Sequence, residues 1–258
     1  FCNEVISRFS EYFPDLIGSK PASELDKISL MQKVFDSTKL EELASFKSPY
    51  HYVKKVLGAV SLLKREAITP DELITLLSKD EAEIKSAPDY RHEKGAHKGK
   101  VKGEYLKREE AIAKNRELAV LYEKYEEALG KELLYDFDDM ILYVVRHLEK
   151  DEDLRLILQE EYQYILADEH QDANGGQNKV LQLLSSFHQS PNLFIVGDEK
   201  QAIYRFQGAS ALNFLYFKKA FPEVKVISLE DNYRSSQTIL DASHGLLASE
   251  NNLVSNSK

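Results

Sequence analysis

Hydrophobic positions in the first half of the chain recur at helical spacing. Phe1, Val5, Ile6, Phe9 and Phe13 form one stripe before Pro14 closes it, which predicts a first helix. A second stripe of Leu25, Ile28, Leu30, Met31 and Val34 runs from about Ala22 to Phe35, and a third follows Pro49 through Val53, Val56, Leu57, Val60 and Leu63. Thr69-Pro70 offers an N-cap followed by proline at the first helical position, so a helix is expected from Glu72 to about Ser86. Glu104 to Leu129 reads as a long charged helix with Leu118, Leu121, Tyr122 and Tyr125 as its buried stripe, ended by Gly130.

After about residue 134 the pattern changes. Short β-branched runs now end in acidic or small residues: Tyr164–Ala167 runs into Asp168-Glu169, Leu193–Val196 into Gly197-Asp198, and Val224–Ile227 toward Glu230. Helical patterns fill the gaps at about Gly176–Gln189 and Ala211–Phe221. Strands alternating with helices predict an α/β fold with a parallel sheet, whose ligands bind at the carboxyl ends of the strands. There is no internal repeat and no low-complexity tract.

Charge modifies this picture. The 258 residues carry 34 Lys+Arg against 43 Asp+Glu, a net −9 that by itself weighs against a nucleic-acid partner. The segment from Lys85 to Arg108, however, holds eight of those cations against three acids, together with His92, His97, Gly95, Gly99 and Gly103. It reads as a mobile basic loop, and two readings of it stay open: a solvated surface, or a DNA contact through Lys98, Lys100 and Lys102. One cysteine, Cys2, excludes a disulfide framework and fits a cytoplasmic protein. No apolar run reaches the ~20 residues of a membrane helix, so no membrane partner is expected. The chain opens at Phe1 without Met and is expected to be a piece of something longer.

The chemistry concentrates at the strand ends. An acid after a buried parallel strand can hold Mg²⁺ beside a nucleotide phosphate, and an adjacent acid can orient or deprotonate a water. Asp168-Glu169 has that arrangement, although such a pair can also merely terminate a strand. Its neighbours narrow the choice. Asp168-Glu169-His170-Gln171-Asp172 is followed by Val196-Gly197-Asp198-Glu199-Lys200-Gln201-Ala202-Ile203-Tyr204-Arg205-Phe206-Gln207-Gly208, and then by Leu229-Glu230-Asp231-Asn232-Tyr233-Arg234-Ser235-Ser236-Gln237. In order and separation these closely resemble motifs II, III and IV of the UvrD/Rep/PcrA family of superfamily 1 DNA helicases. Asp136-Phe137-Asp138-Asp139-Met140 resembles the family's segment before motif II, and Phe1-Cys2 the end of an earlier motif. The motifs cover residues 136–240; from 3 to 135 the likeness rests on position, because the family inserts a helical subdomain, 1B, between these same two motifs.

The resemblance implies a partial RecA-like P-loop NTPase sheet with a mostly α-helical insertion. Residues 1–14 would close one segment of subdomain 1A, 15–134 would form the insertion, and 135–258 would continue 1A. It further implies ATP and Mg²⁺ as cofactors, with Asp168 and Glu169 at the metal and Glu169 also as base toward the hydrolytic water. Gln201 would sense the γ-phosphate, Arg234 would stabilise the transferring phosphoryl group, and Tyr233 would stack on adenine. Tyr204, Arg205 and Phe206 would lie on single-stranded DNA, the two aromatics stacking on bases for about 1–3 kcal/mol each. Gln201 and Tyr204 are three residues apart, a spacing that would couple hydrolysis to stepping.

Departures from the family pattern are Phe206 for Trp, Gln207 for Arg, Ala202 for Ser and Ala173 for Thr. His170 occupies a variable position and is expected to pack or face solvent, not to bind metal. The phosphate-cradling G-x-x-x-x-G-K-[ST] is absent from these residues. The expectation is therefore an internal piece of a 3′–5′ DNA helicase of repair or recombination, inactive alone. Its partners would be single-stranded DNA, single-strand/duplex junctions, accessory repair proteins and the rest of the helicase chain. Two alternatives remain: a non-catalytic nucleic-acid-binding module of helicase shape, or the helicase part of a helicase-nuclease.

Overall fold

The computed structural model describes residues 1–44, 48–94, 97–187, 190–198, 217, 219, 221–229 and 231–255. Side chains beyond 246 are outside that description, as are Gln201, Tyr204, Arg205 and Phe206.

The amino-terminal stripe folds as α1 (Cys2–Arg8) followed by two single turns of 3₁₀ helix at Ser10–Tyr12 and Pro14–Leu16. The single helix expected up to Phe13 is therefore interrupted: Phe9 leaves helical geometry at φ −119°, and its ring packs edge-on against Tyr12. A short strand, β1 (Lys20–Pro21), leads into α2 (Glu24–Asp36), which opens on a reciprocal cap between Ser23 and Asp26. Next come α3 (Val53–Arg65) and α4 (Pro70–Ser86), the latter capped by Thr69 and Glu72 with Pro70 at its first position.

The long helix α5 spans Gly103–Lys131. Leu121, Tyr122 and Tyr125 are buried on it as expected, joined by Ile112, Ala119 and Leu129, while Leu118 is half-buried against the same core. Gly130 does not end it. The helix runs one residue further, and Leu133 then takes the left-handed conformation at φ +53°. The stop is set by β2 (Leu134–Tyr135), which pairs in parallel with β1. Lys20 N–H bonds the Leu133 carbonyl at 2.9 Å and Ala22 N–H the Tyr135 carbonyl at 2.9 Å, so the chain must turn sharply at Leu133 to enter the ladder.

Two cores sit between β1 and β2 in the sequence. One joins α2, α3 and α5 through Met31, Val34, Val56, Val60, Tyr122 and Tyr125; the other joins α4 and α5 through Leu73, Leu77, Ile84, Ile112 and Ala119. A third core is assembled from residues on both sides of that stretch: Val5 and Phe13, then α6 (Asp139–Lys150), α7 (Glu152–Glu161) and α8 (Gly175–Ser185). A forked ion pair from Arg8 to Glu161, at 2.8 and 2.9 Å, ties α1 to α7.

The second sheet is β3 (Ile165–Ala167) beside β4 (Leu193–Ile195), parallel, with α8 as the crossover. Leu166 and Phe194 are register partners on one exposed face. The third expected strand does not form. Val224–Ile227 lies outside any strand, its Val224, Val226 and Ile227 exposed, because no described residue pairs with it to supply a ladder. Of Ala211–Phe221, Phe217 and Lys219 are described as helical. The chain ends its described part in α9 (Gln237–Ser255). Among the described residues no helix is long and apolar enough to cross a membrane.

Two glycines bring α8 close to the helical half. A Cβ on Gly175 would stand 2.4 Å from a Glu66 carboxylate oxygen, and one on Gly176 would stand 2.9 Å from the Arg65 carbonyl and 2.8 Å from Ile141. The amino end of α8, directly after the Asp168-Glu169 segment, thus rests on the carboxyl end of α3.

Candidate functional site

The site begins where β3 runs out. Asp168 and Glu169 follow Ala167 at the carboxyl end of the strand, both exposed. The Glu169 N–H donates to Asp168 Oδ1 at 2.9 Å, which fixes one carboxylate oxygen and leaves the other free to face a cation. Glu169 has left-handed backbone geometry, φ +48° and ψ +39°, which costs a non-glycine residue about 1–2 kcal/mol. That turn reverses the chain into the 3₁₀ turn His170–Asp172, and Asn174 then caps α8 reciprocally with Gln177.

The residues beneath the two acids are buried. Gln171, 2 % exposed, donates from Nε2 to Glu169 Oε2 at 2.6 Å and accepts at Oε1 the Asp198 N–H at 3.0 Å. The His170 N–H bonds the Val196 carbonyl at 2.9 Å. Its ring packs edge-on against Phe217, centroids 4.9 Å apart, and burial lowers its pKa. Of the two environments expected for His170, packing is the one found. Alongside the acids lies a cavity of about 710 Å³ bounded by Phe1, Tyr162, Leu166, Asp168, Glu169 and Leu184.

Among the described residues no group of three or more His, Cys, Asp or Glu closes around a metal position. Two adjacent exposed carboxylates still suit Mg²⁺, which keeps most of its ligands as water and phosphate oxygens and takes one or two from protein. The donor set at Asp168 and Glu169 fits a magnesium-nucleotide complex.

Of the remaining expected nucleotide-site residues, Tyr233 and Arg234 are among those described. Tyr233 is 93 % exposed, and Asn232 Oδ1 accepts the N–H groups of Arg234 and Ser235 at 2.9 and 2.8 Å, a turn that leads into α9. Among the described residues neither Tyr233 nor Arg234 is hydrogen-bonded or ion-paired to Asp168 or Glu169. Gln201, Tyr204, Arg205 and Phe206 lie outside the described residues.

The segment expected to be a mobile basic loop is bridged as a hairpin in its described residues. Arg91 bridges Val101 in antiparallel fashion, His92 N–H bonds the Lys100 carbonyl at 2.9 Å, and Gly99 turns the chain at φ +82°. Lys98 and Lys100 are exposed on it. Lys102 is half-buried and ion-paired: its Nζ is 2.6 Å from Asp89, which also accepts from the Tyr105 hydroxyl.

A second polar cluster joins the helical half to α6. Lys64 on α3 is fully buried, its Nζ 2.5 Å from Asp139, 2.6 Å from Glu126 and 3.9 Å from Asp136, over the rings of Tyr122 and Tyr125. Asp136 also pairs with Lys27 at 2.9 Å, and Asp138 accepts from Arg65 at 3.0 Å and from Ser61. All three acids of the Asp136–Asp139 segment thus reach across to α2 and α3. The sequence carried a signal for this: Lys64 continues the stripe of Val53, Val56 and Val60 at helical spacing, and a charge on a buried stripe requires partners.

The profile of the family described as UvrD/REP helicase N-terminal domain matches residues 17–222, which includes Asp168 to Phe206 but not Tyr233 and Arg234. The ATP-dependent DNA helicase Rep of Buchnera aphidicola is 35% identical over 136 residues, 53% of this chain and 21% of that protein. The ATP-dependent DNA helicase PcrA of Staphylococcus aureus is 38% identical over 130 residues, 50% of this chain and 18% of that protein, and PcrA of Leuconostoc citreum is 36% identical over 137. The chain matches about a fifth of the length of these relatives.

Proposed function

The chain belongs to the UvrD/REP helicase N-terminal domain family, and from that premise we propose that it is part of an ATP-driven DNA helicase whose hydrolytic centre is built on Asp168 and Glu169. The observation that carries this reading is the exposed acid pair at the carboxyl end of a parallel strand, Glu169 being turned by its left-handed backbone and held from beneath. Magnesium-bound ATP supplies the reactive phosphoryl group and its charge compensation. Asp168 would hold the cation through the carboxylate oxygen that the Glu169 N–H leaves unbonded. Glu169 orients a water for attack in line with the leaving diphosphate and takes its proton. Arg234 and Gln201 contact the γ-phosphate in this reading, and Tyr233 stacks on adenine. Tyr204, Arg205, Phe206, Lys98 and Lys100 hold single-stranded DNA.

The reading has a domain division within it, with 15–134 as a helical 1B-like insertion in a RecA-like subdomain 1A. The separation of the cores between β1 and β2 from the core shared by α1 and α6–α8 supports it. Leu166 and Phe194 expose an apolar face of the kind that helices cover in parallel sheets, which favours helices of the rest of the helicase chain packed there. With no phosphate-cradling loop in their sequence, these 258 residues turn over little ATP alone. The complete protein moves 3′ to 5′ and serves repair or recombination at single-strand/duplex junctions in the cytoplasm.

The test is steady-state ATP hydrolysis by the full-length protein with and without single-stranded DNA, together with unwinding of duplexes bearing a 3′ or a 5′ tail. DNA-stimulated turnover, abolished in D168N, and unwinding from the 3′ tail are expected. DNA binding without any hydrolysis would instead favour a non-catalytic module.

A further inference from the structure

Gln171 has no role in the chemistry described so far, yet it is buried and hydrogen-bonded directly to Glu169. Its amide is used at both ends. The Asp198 N–H can only donate, so the end of the amide that meets it at 3.0 Å is the carbonyl oxygen. The other end, 2.6 Å from Glu169 Oε2, is therefore the NH₂ group, oriented by the network itself. Glu169 is exposed, and nothing else described bonds its carboxylate.

We propose that Gln171 is a positioning residue for hydrolysis, clamping one oxygen of Glu169 so that the other faces the attacking water, and anchoring that clamp to the end of β4. This rests on the reading of Glu169 as the base. An exposed glutamate samples several rotamers, and proton abstraction requires one of them; a donor that is itself immobile selects it in advance. The left-handed turn at Glu169 makes the clamp possible, because it folds residue 171 back beneath residue 169. The bond to Asp198 lies at the start of the segment that leads to Gln201, so the base and that segment share one fixed point.

The test uses the full-length protein with single-stranded DNA present, measuring kcat and KM for ATP and the thermal midpoint of Q171E, Q171M and E169Q. Q171E keeps an oxygen for the Asp198 N–H and almost the same volume but loses the NH₂ donor; Q171M loses both bonds. A positioning role predicts that Q171E and Q171M each lower kcat at least about fivefold with KM for ATP within about threefold of the parent. A merely structural role leaves Q171E with kcat within fivefold, and that result overturns the proposal, as does a rise in KM that parallels the loss of kcat. Should Q171M fail to fold, Q171E decides. Loss of turnover in E169Q with retention in Q171E overturns the clamp alone; retained turnover in E169Q overturns the base assignment and the clamp with it.

Discussion

Lys64 and Asp139 show how much of this protein depends on single buried charges. Three carboxylates, Asp136, Asp139 and Glu126, share the ammonium groups of Lys64 and Lys27, and burial of the surplus acid pushes the Asp139 pKa up to about 7. A carboxyl that binds its proton more tightly when folded than its unfolded value of about 3.9 makes the folded state lose stability as pH rises from about 4 to about 7. Chemical denaturation across that range should show the decline in the parent chain and a flatter profile in D139N; an unchanged slope would contradict it. Lys64→Met strips the cluster of its central cation and should cost about 3–5 kcal/mol by the same measurement, against under 1 kcal/mol if the cluster were slack. At this scale the sequence was legible where type and neighbours coincide, as at Asp168-Glu169 after an apolar run. Gln171 was not, because its position under Glu169 follows from a left-handed residue that a glutamate rarely adopts.

At the level of elements, the helices followed their caps and stripes: Thr69-Pro70 opened α4 and the Tyr122 and Tyr125 stripe buried α5 as patterned. What local pattern does not encode is a partner strand. Val224–Ile227 has the composition of a strand but no described neighbour to pair with, and α5 stops where the β1–β2 ladder requires it, not at Gly130. The basic hairpin is a further case, since Asp89, an acid within the same segment, pairs with Lys102. Each lysine that neutralises a phosphate of single-stranded DNA contributes about 0.7 to the salt slope. The double variant K98Q/K100Q should therefore flatten the slope of log K against log salt by about 1.4, while K102Q should change it by less than about 0.3. Fluorescence anisotropy of labelled single strands over a salt series measures both; an unchanged slope in the double variant would return the hairpin to a solvated surface.

For the molecule as a whole, a net charge of −9 says little, because residues 85–108 hold eight cations against three acids while acids stand at the strand ends. The order of elements brings a helical half, two parallel strand pairs and an acid pair into one body, with Gly175 and Gly176 allowing α8 to rest against α3 directly after the acids. Family membership follows from the match over 17–222, while Gln201 and the Tyr204–Phe206 aromatics lie outside the described residues, and Tyr233 and Arg234 lie beyond the match. The central claim is accordingly the one about Glu169. Single-turnover hydrolysis of ATP by the full-length protein saturated with single-stranded DNA tests it most directly, comparing E169Q with the parent. If Glu169 is the base, nucleotide affinity stays within about threefold and the hydrolysis step slows at least about 100-fold; a hydrolysis rate within a few-fold of the parent would contradict the account.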